Sequence, residues 1–413
     1  MVRTTLLAPP VVGQTILRWS TRTHTLAGIE AELARIWSEA PLTAQGADGT
    51  PERRVAARTS VLNLVVIARQ PELGERAAAV IRMLTGRHPS RTLIVSSADP
   101  DGPSWLDAHV QAHCVLPRAD AVETCAEFID LVAGGETGRH VAAIVAPLLV
   151  HDLPVTLWWP GDPPLGSRQA LDLLDMADRL VLDGSLWSGD GIGRLRALVA
   201  IVRDHDLAGD ALAVSDFAML RQSRWREAIA SCFDRPELQP FLGGLTEVTV
   251  RYGAQPGSGL GGTNLIKPLY HVAWLASRLG LTVATPLRSV IREPGGSTPD
   301  DDIGAPMAGQ LRAGRRRIAV ALVPTTSSMP SGTTLTVELA ARRRGDNLEV
   351  VVSAEAEAVI VRSTLNGREF PIRRFMAPRR TEVELLAETI ESVGRDKVAV
   401  AALLAAAELV GPE

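Results

Sequence analysis

The sequence predicts an α/β protein, with a mostly parallel sheet and flanking helices in its N-terminal and central part and a C-terminal α+β domain with an antiparallel sheet. Two observations support this fold class. From residue 60 to about residue 233, apolar runs of strand length alternate with amphipathic helical stretches, as in βαβ units. After residue 318, short alternating runs are separated by turn residues, which is typical of an antiparallel meander.

The N-terminal part predicts an extended arm over residues 1–24 and a helix over 26–37, where apolar residues recur at helical spacing. Residues 40–54 are rich in Pro, Gly and charge and have no period, which predicts a loop. We therefore expect an N-terminal arm and helix in 1–54, an α/β domain in 55–240 and an α+β domain in 241–413.

The α/β domain is predicted from alternating patterns. Continuous apolar runs favour buried strands, and apolar residues three or four apart favour helices. The predicted strands are 61–68, 92–97, 109–116, 155–159 and 179–183. The predicted helices are 73–84, 122–132, 167–177, 191–205 and 221–233.

In the C-terminal domain, a strand at 246–252 and a glycine-rich loop lead to an apolar helix at 265–279. Residues 292–307 are rich in Pro, Gly and Asp, which predicts a flexible connection. The dipeptide Asn366-Gly367 is a strong hairpin signal. The remaining predicted strands are 318–323, 334–341, 348–353, 358–363 and 369–373, and helices at 382–392 and 396–409 are expected to cover one face of their sheet.

Composition excludes several classes of partner. A net charge of -4 and a pI near 6.1 argue against nucleic acid and anionic membranes, whose binders carry a basic excess. All but two of the 43 basic residues are arginine, the exceptions being Lys267 and Lys397. The triplets 315–317 and 342–344 are all arginine, and we expect each to be a solvated strand end or hairpin tip.

The cysteines and the hydropathy pattern predict a cytoplasmic protein. Cys114, Cys125 and Cys232 are few, odd in number and far apart, and the N-terminus has no signal-peptide pattern. The most apolar window, 141–160, contains His151, Asp152 and Pro154. The window therefore lacks the roughly 20 uninterrupted apolar residues that a membrane-spanning helix needs.

Two possible ligand sites are weak. Gly257, Gly259 and Gly262 match the dinucleotide fingerprint between a strand and a helix, but no acidic residue follows to hold a ribose. His109, His113 and Cys114 could ligate zinc, yet position 114 points to the opposite strand face and no fourth ligand is evident. We expect no cofactor, no metal and no catalytic residues.

Half of the aromatic residues are tryptophan, a residue prominent among interface hot spots. Trp158 and Trp159 end a predicted strand, so they point to opposite faces. We expect at most one of them to serve the sheet core, which leaves the other for a loop, a pocket or a partner. A purely structural role for both is the alternative.

Five segments together resemble the glucose-6-phosphate dehydrogenase assembly (OpcA) family, in the family's order. They are 58–64 (RTSVLNL), 88–91 (HPSR), 157–161 (LWWPG), 223–226 (SRWR) and 270–279 (YHVAWLASRL). The resemblance implies a non-catalytic protein that binds glucose-6-phosphate dehydrogenase and promotes its assembly or activation.

If binding is the function, exposed aromatic and arginine side chains at the ends of elements are the best partner contacts. The predicted contacts are Arg58, His88, Arg91, Trp158, Trp159, Arg224 and Trp225. The alternative is a sugar-phosphate or nucleotide-binding regulator or enzyme that uses the loop from Gly257 to Gly262.

Overall fold

A computed structural model describes residues 12–38, 43–45, 51–53, 57–58, 60–99, 101–118, 123–257, 262–290 and 303–412. The chain forms two compact units. The first comprises residues 1–182 with 381–394, and the second comprises 183–380 with 395–413. The domain boundaries expected after residues 54 and 240 stay predictions. No helix in the described residues is long and apolar enough to cross a membrane.

Within the described residues, the first unit contains ten strands and six helices. Its strands are β1 (Thr15–Thr23), β2 (Thr43–Gln45), β3 (Pro51–Arg53), β4 (Ala57–Arg58), β5 (Leu62–Ala68), β6 (Ser90–Ala98), β7 (Trp105–Val115), β8 (Thr124–Gly134), β9 (Val155–Trp159) and β10 (Arg179–Leu182). Its helices are α1 (Leu26–Ser38), α2 (Pro71–Arg82), α3 (Gly135–Arg139), α4 (Val141–Val145), α5 (Arg168–Leu174) and α10 (Glu382–Glu391).

The first strand of the second unit is β11 (Ala213–Asp216). The other strands of the second unit are β12 (Leu245–Ala254), β13 (Thr282–Ser289), β14 (Met307–Ala313), β15 (Arg316–Thr326), β16 (Thr334–Arg343), β17 (Asp346–Glu355), β18 (Ala358–Leu365), β19 (Arg368–Glu369) and β20 (Arg373–Met376). Its helices are α6 (Ile192–Ala208), α7 (Phe217–Leu220), α8 (Ser223–Cys232), α9 (Ile266–Leu279) and α11 (Lys397–Val410).

The main sheet of the first unit has the order β1-β7-β8-β6-β5-β9-β10, with β4 beside β8. Its strands from β8 to β10 are parallel neighbours, whereas β1, β7 and β8 pair antiparallel. The core strand β5 is almost wholly buried, as expected for a parallel strand covered on both faces. The predicted fold class is confirmed for this part of the chain.

One predicted helix of this unit is wrong. Residues 124–134 form the strand β8, and residue 122 lies outside the described residues. Cys125, Phe128, Ile129 and Val132 have helical spacing, but a strand buried on both faces is also apolar at nearly every position. Because β6 and β7 pair with β8 from its two sides, tertiary pairing decides the conformation.

Three smaller predictions also need correction. The described part of the predicted N-terminal arm is extended, but residues 15–23 form β1 and pair with β7. The strand predicted at 369–373 is divided, since residues 370–372 lie between β19 and β20. In the loop predicted at 40–54, residues 43–45 and 51–53 instead pair as the strands β2 and β3, and the other residues lie outside the described part of the chain. Residues 292–302 of the predicted connection also lie outside it.

The sheet of the second unit has the order β13-β14-β15-β12-β16-β17-β18-β19, with β20 also beside β18. Its pairs are antiparallel except for β12 with β15, so the predicted antiparallel sheet is confirmed. Alternate residues point into the core. These include Val248, Val250, Ile318, Val320, Val337, Leu339, Val350 and Val352.

The last two helices belong to different units, which corrects the expectation that both cover the antiparallel sheet. Helix α10 packs against α2 within the first unit, whereas α11 packs against α9, α6 and β13 within the second. Each helix begins as its sequence predicts. Thr381 and Glu384 form a capping box for α10, and the Asp396 carboxylate accepts hydrogen bonds from two backbone N–H groups of α11.

The Asn366-Gly367 turn connects β18 to β19, and both residues have positive φ, of 50° and 80°. We expect Gly367→Ala to destabilise the protein by about 1 kcal/mol, because a side chain disfavours this backbone conformation. Gly193→Ala is the matched control, since both sites have open space around a new Cβ but only Gly367 has positive φ. Urea unfolding measures the difference. Equal stability of the two variants would contradict this prediction.

Candidate functional site

Two of the segments that resemble the family meet in the second unit. Trp225, in the first turn of α8, contacts His271 of α9, with ring centroids 5.2 Å apart. Trp225 is half-buried and His271 is fully buried. Burial, with a smaller effect of the Arg226 charge, lowers the pKa of His271 to about 3. The imidazole is therefore neutral at physiological pH.

Asp216 is the centre of a buried polar network beside this contact. It ends β11, and its Oδ1 accepts hydrogen bonds from the N–H groups of Gly184 at 2.9 Å and Ala218 at 2.7 Å. The Tyr270 hydroxyl donates to Asp216 Oδ2 at 2.7 Å. The network thus ties α7, α9 and the turn at residue 184 to the end of one strand.

Electrostatics makes this network unusual. Burial, with a smaller effect of the Asp183 charge, raises the pKa of Asp216 to about 7, and the three hydrogen-bond donors oppose this shift. Burial also raises the pKa of Tyr270 well above its ordinary value. The tyrosine therefore stays protonated and donates to Asp216.

Charged groups surround the network. Arg221 Nη1 lies 2.6 Å from Asp183 Oδ2, and the Ser185 hydroxyl donates to Asp183 Oδ1 at 2.6 Å. Burial lowers the pKa of Lys267, although Asp183 opposes that shift. Gln222 Nε2 donates to the Lys267 carbonyl at 2.7 Å. These contacts hold the starts of α8 and α9 in a fixed arrangement, so the network positions the Trp225 surface.

Most of the partner contacts predicted in the first unit form hydrogen bonds or ion pairs within the protein or are buried. Arg91 is buried, its Nε lies 2.6 Å from Glu127 Oε2, and its Nη1 donates to the Leu148 carbonyl at 3.0 Å. His88 Nε2 lies 2.9 Å from Glu391 Oε1, and 14% of the His88 side chain is exposed. Arg58 lies in β4, and its side chain is outside what the structure describes.

Trp158 and Trp159 are both buried, with exposed fractions of 0% and 3%. The expectation that one indole remains free is therefore wrong. Because consecutive side chains of a strand point to opposite faces of the sheet, the burial of both indoles shows that protein covers both faces of β9 where it ends. Participation of these tryptophans in partner binding stays a prediction, and it would require a change that exposes them.

Arg224 and Trp225 are the predicted contacts with the most accessible positions. Arg224 is exposed and its Nη1 lies 2.7 Å from Glu227 Oε2, one helical turn away. Such an exposed pair contributes little to stability, so its charges remain accessible to another molecule. Trp225, the next residue of α8, is partly exposed.

The structure also locates the predicted ligand sites. Residues 258–261 of the glycine-rich loop, which include Gly259, lie outside the described residues, while Gly257 has a positive φ of 82°. His109 Nε2 lies 2.8 Å from Ser20 Oγ, and His113 Nε2 lies 2.8 Å from Gln111 Oε1. These side-chain contacts fit the expectation of polar residues on a strand.

Cys114 and Cys125 form a disulfide across the antiparallel pair β7–β8, where they are direct neighbours. The interpretation of the cysteines as separate thiols of a reducing compartment does not hold for this pair. The helix predicted around residue 125 concealed the strand register that places the two residues opposite each other. Ligand atoms of Cys114, Glu123 and Cys125 lie within 4.8 Å of one another. With the sulfur atoms bonded to each other and Glu123 paired with Arg18, this set does not offer the thiolates that a metal requires.

Comparison with known families covers most of the chain. Residues 81–199 match the model described as the glucose-6-phosphate dehydrogenase subunit N-terminal domain of OpcA. Residues 212–403 match the corresponding C-terminal domain. The chain belongs to the OpcA glucose-6-phosphate dehydrogenase assembly family. The resemblance inferred from the five sequence segments is thereby confirmed.

Two curated relatives carry the name OxPP cycle protein OpcA. The protein from Synechocystis is 24% identical over 192 residues, which cover 46% of this chain and 37% of the relative. The protein from Synechococcus elongatus is 24% identical over 207 residues, which cover 50% of this chain and 43% of the relative. The matched regions therefore span less than half of these OpcA proteins.

Solved structures show a more distant likeness. A 3-ketoreductase from Actinomadura kijaniata, in complex with TDP-benzene and NADP, is 14% identical with a TM-score of 0.44, covering 84% of this chain and 95% of that chain. A levoglucosan dehydrogenase is 13% identical with a TM-score of 0.41, covering 84% of this chain and 89% of that chain. Likenesses this low assign no activity to the OpcA family member described above.

Proposed function

We propose that this protein is a non-catalytic partner of glucose-6-phosphate dehydrogenase that promotes assembly of the active enzyme or activates it. The observation that carries the proposal is the match of both halves of the chain to domains described as parts of a dehydrogenase subunit. The relatives named for the OxPP cycle support a role in the oxidative pentose phosphate pathway. A cytoplasmic location follows from this role.

The geometry around α8 supports binding over chemistry. Asp216 and Tyr270 are buried and fixed by mutual hydrogen bonds, so a substrate has no access to them. Next to them, Trp225 and Arg224 present an aromatic ring and a guanidinium at a helix start. Tryptophan and arginine are the residue types that contribute most to binding hot spots.

The deciding experiment mixes the purified chain with its cognate dehydrogenase. We expect a complex in size-exclusion chromatography with light scattering, and a change in the dehydrogenase oligomer, KM or kcat. Unchanged mass and unchanged kinetics would refute the proposal. Calorimetry with glucose 6-phosphate, 6-phosphogluconate and NADP tests the metabolite-binding alternative, because a pure protein-binding chain produces no binding heat with any of them.

We expect Trp225→Ala to weaken the complex by about 2 kcal/mol, or roughly thirtyfold in Kd, if Trp225 is a hot spot. Trp105→Ala is the matched control, since Trp105 is a 40% exposed tryptophan of the first unit. Melting temperature and dehydrogenase affinity are measured on both variants. A lower melting temperature with unchanged affinity of the folded protein would show that Trp225 serves the core instead.

A further inference from the structure

The two arginine triplets, separated in the sequence, meet at one end of the second sheet. Arg315 lies in the turn between β14 and β15, and Arg316 and Arg317 begin β15. Arg342 and Arg343 end β16, and Arg344 lies in the turn to β17. β12 pairs parallel with β15 and antiparallel with β16. The start of β15 and the end of β16 therefore flank the start of β12 on its two sides.

Further arginines lie at the same end of the sheet. Arg312 is opposite Arg317 in the β14–β15 pair. Arg368 is opposite Leu365 in the β18–β19 pair. Leu365 is in turn opposite Leu348, near the start of β17, which places Arg368 at the same end of the sheet. We call these eight residues the arginine edge. They are Arg312, Arg315, Arg316, Arg317, Arg342, Arg343, Arg344 and Arg368.

Seven of the eight residues of the arginine edge are exposed. Arg316 is only partly exposed, and its Nε is buried. Within the described parts of the chain, none of the eight forms an ion pair, and Arg317 donates to the neutral amide of Gln310 at 3.1 Å. The described acidic residues at this end of the sheet are Glu247, Asp346, Glu349 and Glu369. Since eight arginines face four carboxylates, positive charge predominates.

The arginine edge is distinguished by the concentration of its charges. Some exposed arginines elsewhere, such as Arg22, Arg139 and Arg374, pair with carboxylates. The whole chain carries a net charge of -4. A concentrated basic edge on an acidic protein attracts a negatively charged partner and orients it during association.

The width of the edge indicates the size of its partner. From β14 to β19 there are six strand spacings in the sheet order, or about 29 Å at about 4.8 Å each. A single small metabolite cannot contact charges spread over that distance. A protein surface can, and the planar guanidinium binds carboxylates through two parallel hydrogen bonds.

We propose that the arginine edge docks an acidic surface of the partner protein, which, on the function proposed above, is glucose-6-phosphate dehydrogenase. Single-stranded nucleic acid fits less well. Proteins bind it through aromatic side chains interleaved with basic residues, and residues 315–344, which include both triplets, contain no aromatic residue.

The test reverses charge at the centre of the edge with Arg342→Glu, Arg343→Glu and Arg344→Glu in one variant. The control reverses three other exposed arginines, Arg69→Glu, Arg203→Glu and Arg278→Glu, so both variants have the same net charge. We expect the edge variant to raise the Kd for the dehydrogenase at least about thirtyfold at about 0.05 M salt, and far less at about 0.5 M salt where charges are screened. The control changes Kd less than about threefold.

The measurements separate failure of the proposed function from failure of the arginine-edge assignment. If the wild-type chain forms no complex with the dehydrogenase, the proposed function fails and the edge assignment fails with it. If the complex forms but the edge variant has the wild-type Kd and salt dependence, only the edge assignment fails. If the edge variant loses binding to a single-stranded oligonucleotide while keeping its affinity for the dehydrogenase, the edge is a nucleic-acid surface and the proposal is overturned. Circular dichroism of both variants confirms that they are folded.

Discussion

Arg91→Ala is expected to destabilise the protein by about 3–5 kcal/mol, because it leaves the buried Glu127 carboxylate without its arginine. Arg91 Nε and Glu127 Oε2 are 2.6 Å apart, and the Glu127 side chain is 0% exposed. In a unit of this size, such a loss lowers the melting temperature by roughly 10 °C. Calorimetry measures the shift.

Arg22→Ala is the control for Arg91→Ala. Arg22 also pairs with a carboxylate of the first unit, Asp107 at 3.3 Å, but 67% of the Arg22 side chain is exposed. We expect its loss to cost less than about 1 kcal/mol. An Arg91→Ala variant with wild-type melting temperature and weakened dehydrogenase binding would contradict the structural role and favour the partner contact predicted from the sequence.

Asp216→Ala is expected to cost about 3–5 kcal/mol, since it leaves the Tyr270 hydroxyl and the N–H groups of Gly184 and Ala218 buried without an acceptor. Asp216→Asn is the matched variant. Its amide oxygen still accepts both backbone hydrogen bonds, so we expect a loss of about 1 kcal/mol. Urea unfolding compares the two. Similar stability of both variants would show that the network contributes little.

The same residue predicts a pH dependence. The pKa of Asp216 is raised from 3.8 to about 7 in the folded protein, so between these values the folded state binds more protons than the unfolded state. The stability from this group is therefore greatest near pH 4 and decreases as the pH rises toward 7, by on the order of 4 kcal/mol at most. We expect the stability difference between wild type and Asp216→Asn to follow this trend. Parallel pH profiles of the two proteins would contradict the raised pKa.

Much of the fold could be predicted because local patterns and tertiary structure agree. The helix α2 illustrates this agreement. It begins with Pro71 at its first position and buries Ala77, Val80 and Ile81 on one face, as helical spacing and the preference of proline for the first turn require. The hairpin at Asn366-Gly367 is equally local, since its positive φ values are properties of those two residue types.

The candidate site could not be predicted in the same way. Asp216 is a single acidic residue between apolar segments, and nothing in its neighbours indicates a buried network. Its partners Gly184 and Tyr270 are 32 and 54 positions away. Long-range hydrogen bonds of this kind leave no periodic signal along the chain. The sequence therefore suggested Trp225 as a contact, which stays a prediction, but gave no sign of the buried network beside it.

The sequence by itself determined the fold class, the family and most of the local elements, because periodicity, caps and turns depend on residues close together in the chain. Only the tertiary structure decided the conformation of β8, the disulfide between Cys114 and Cys125, the burial of Arg91 and Trp158, and the meeting of the arginine triplets. Each of these depends on strand order and register. Strand pairing joins residues far apart in sequence, and the free energy of that pairing comes from contacts that no local pattern contains.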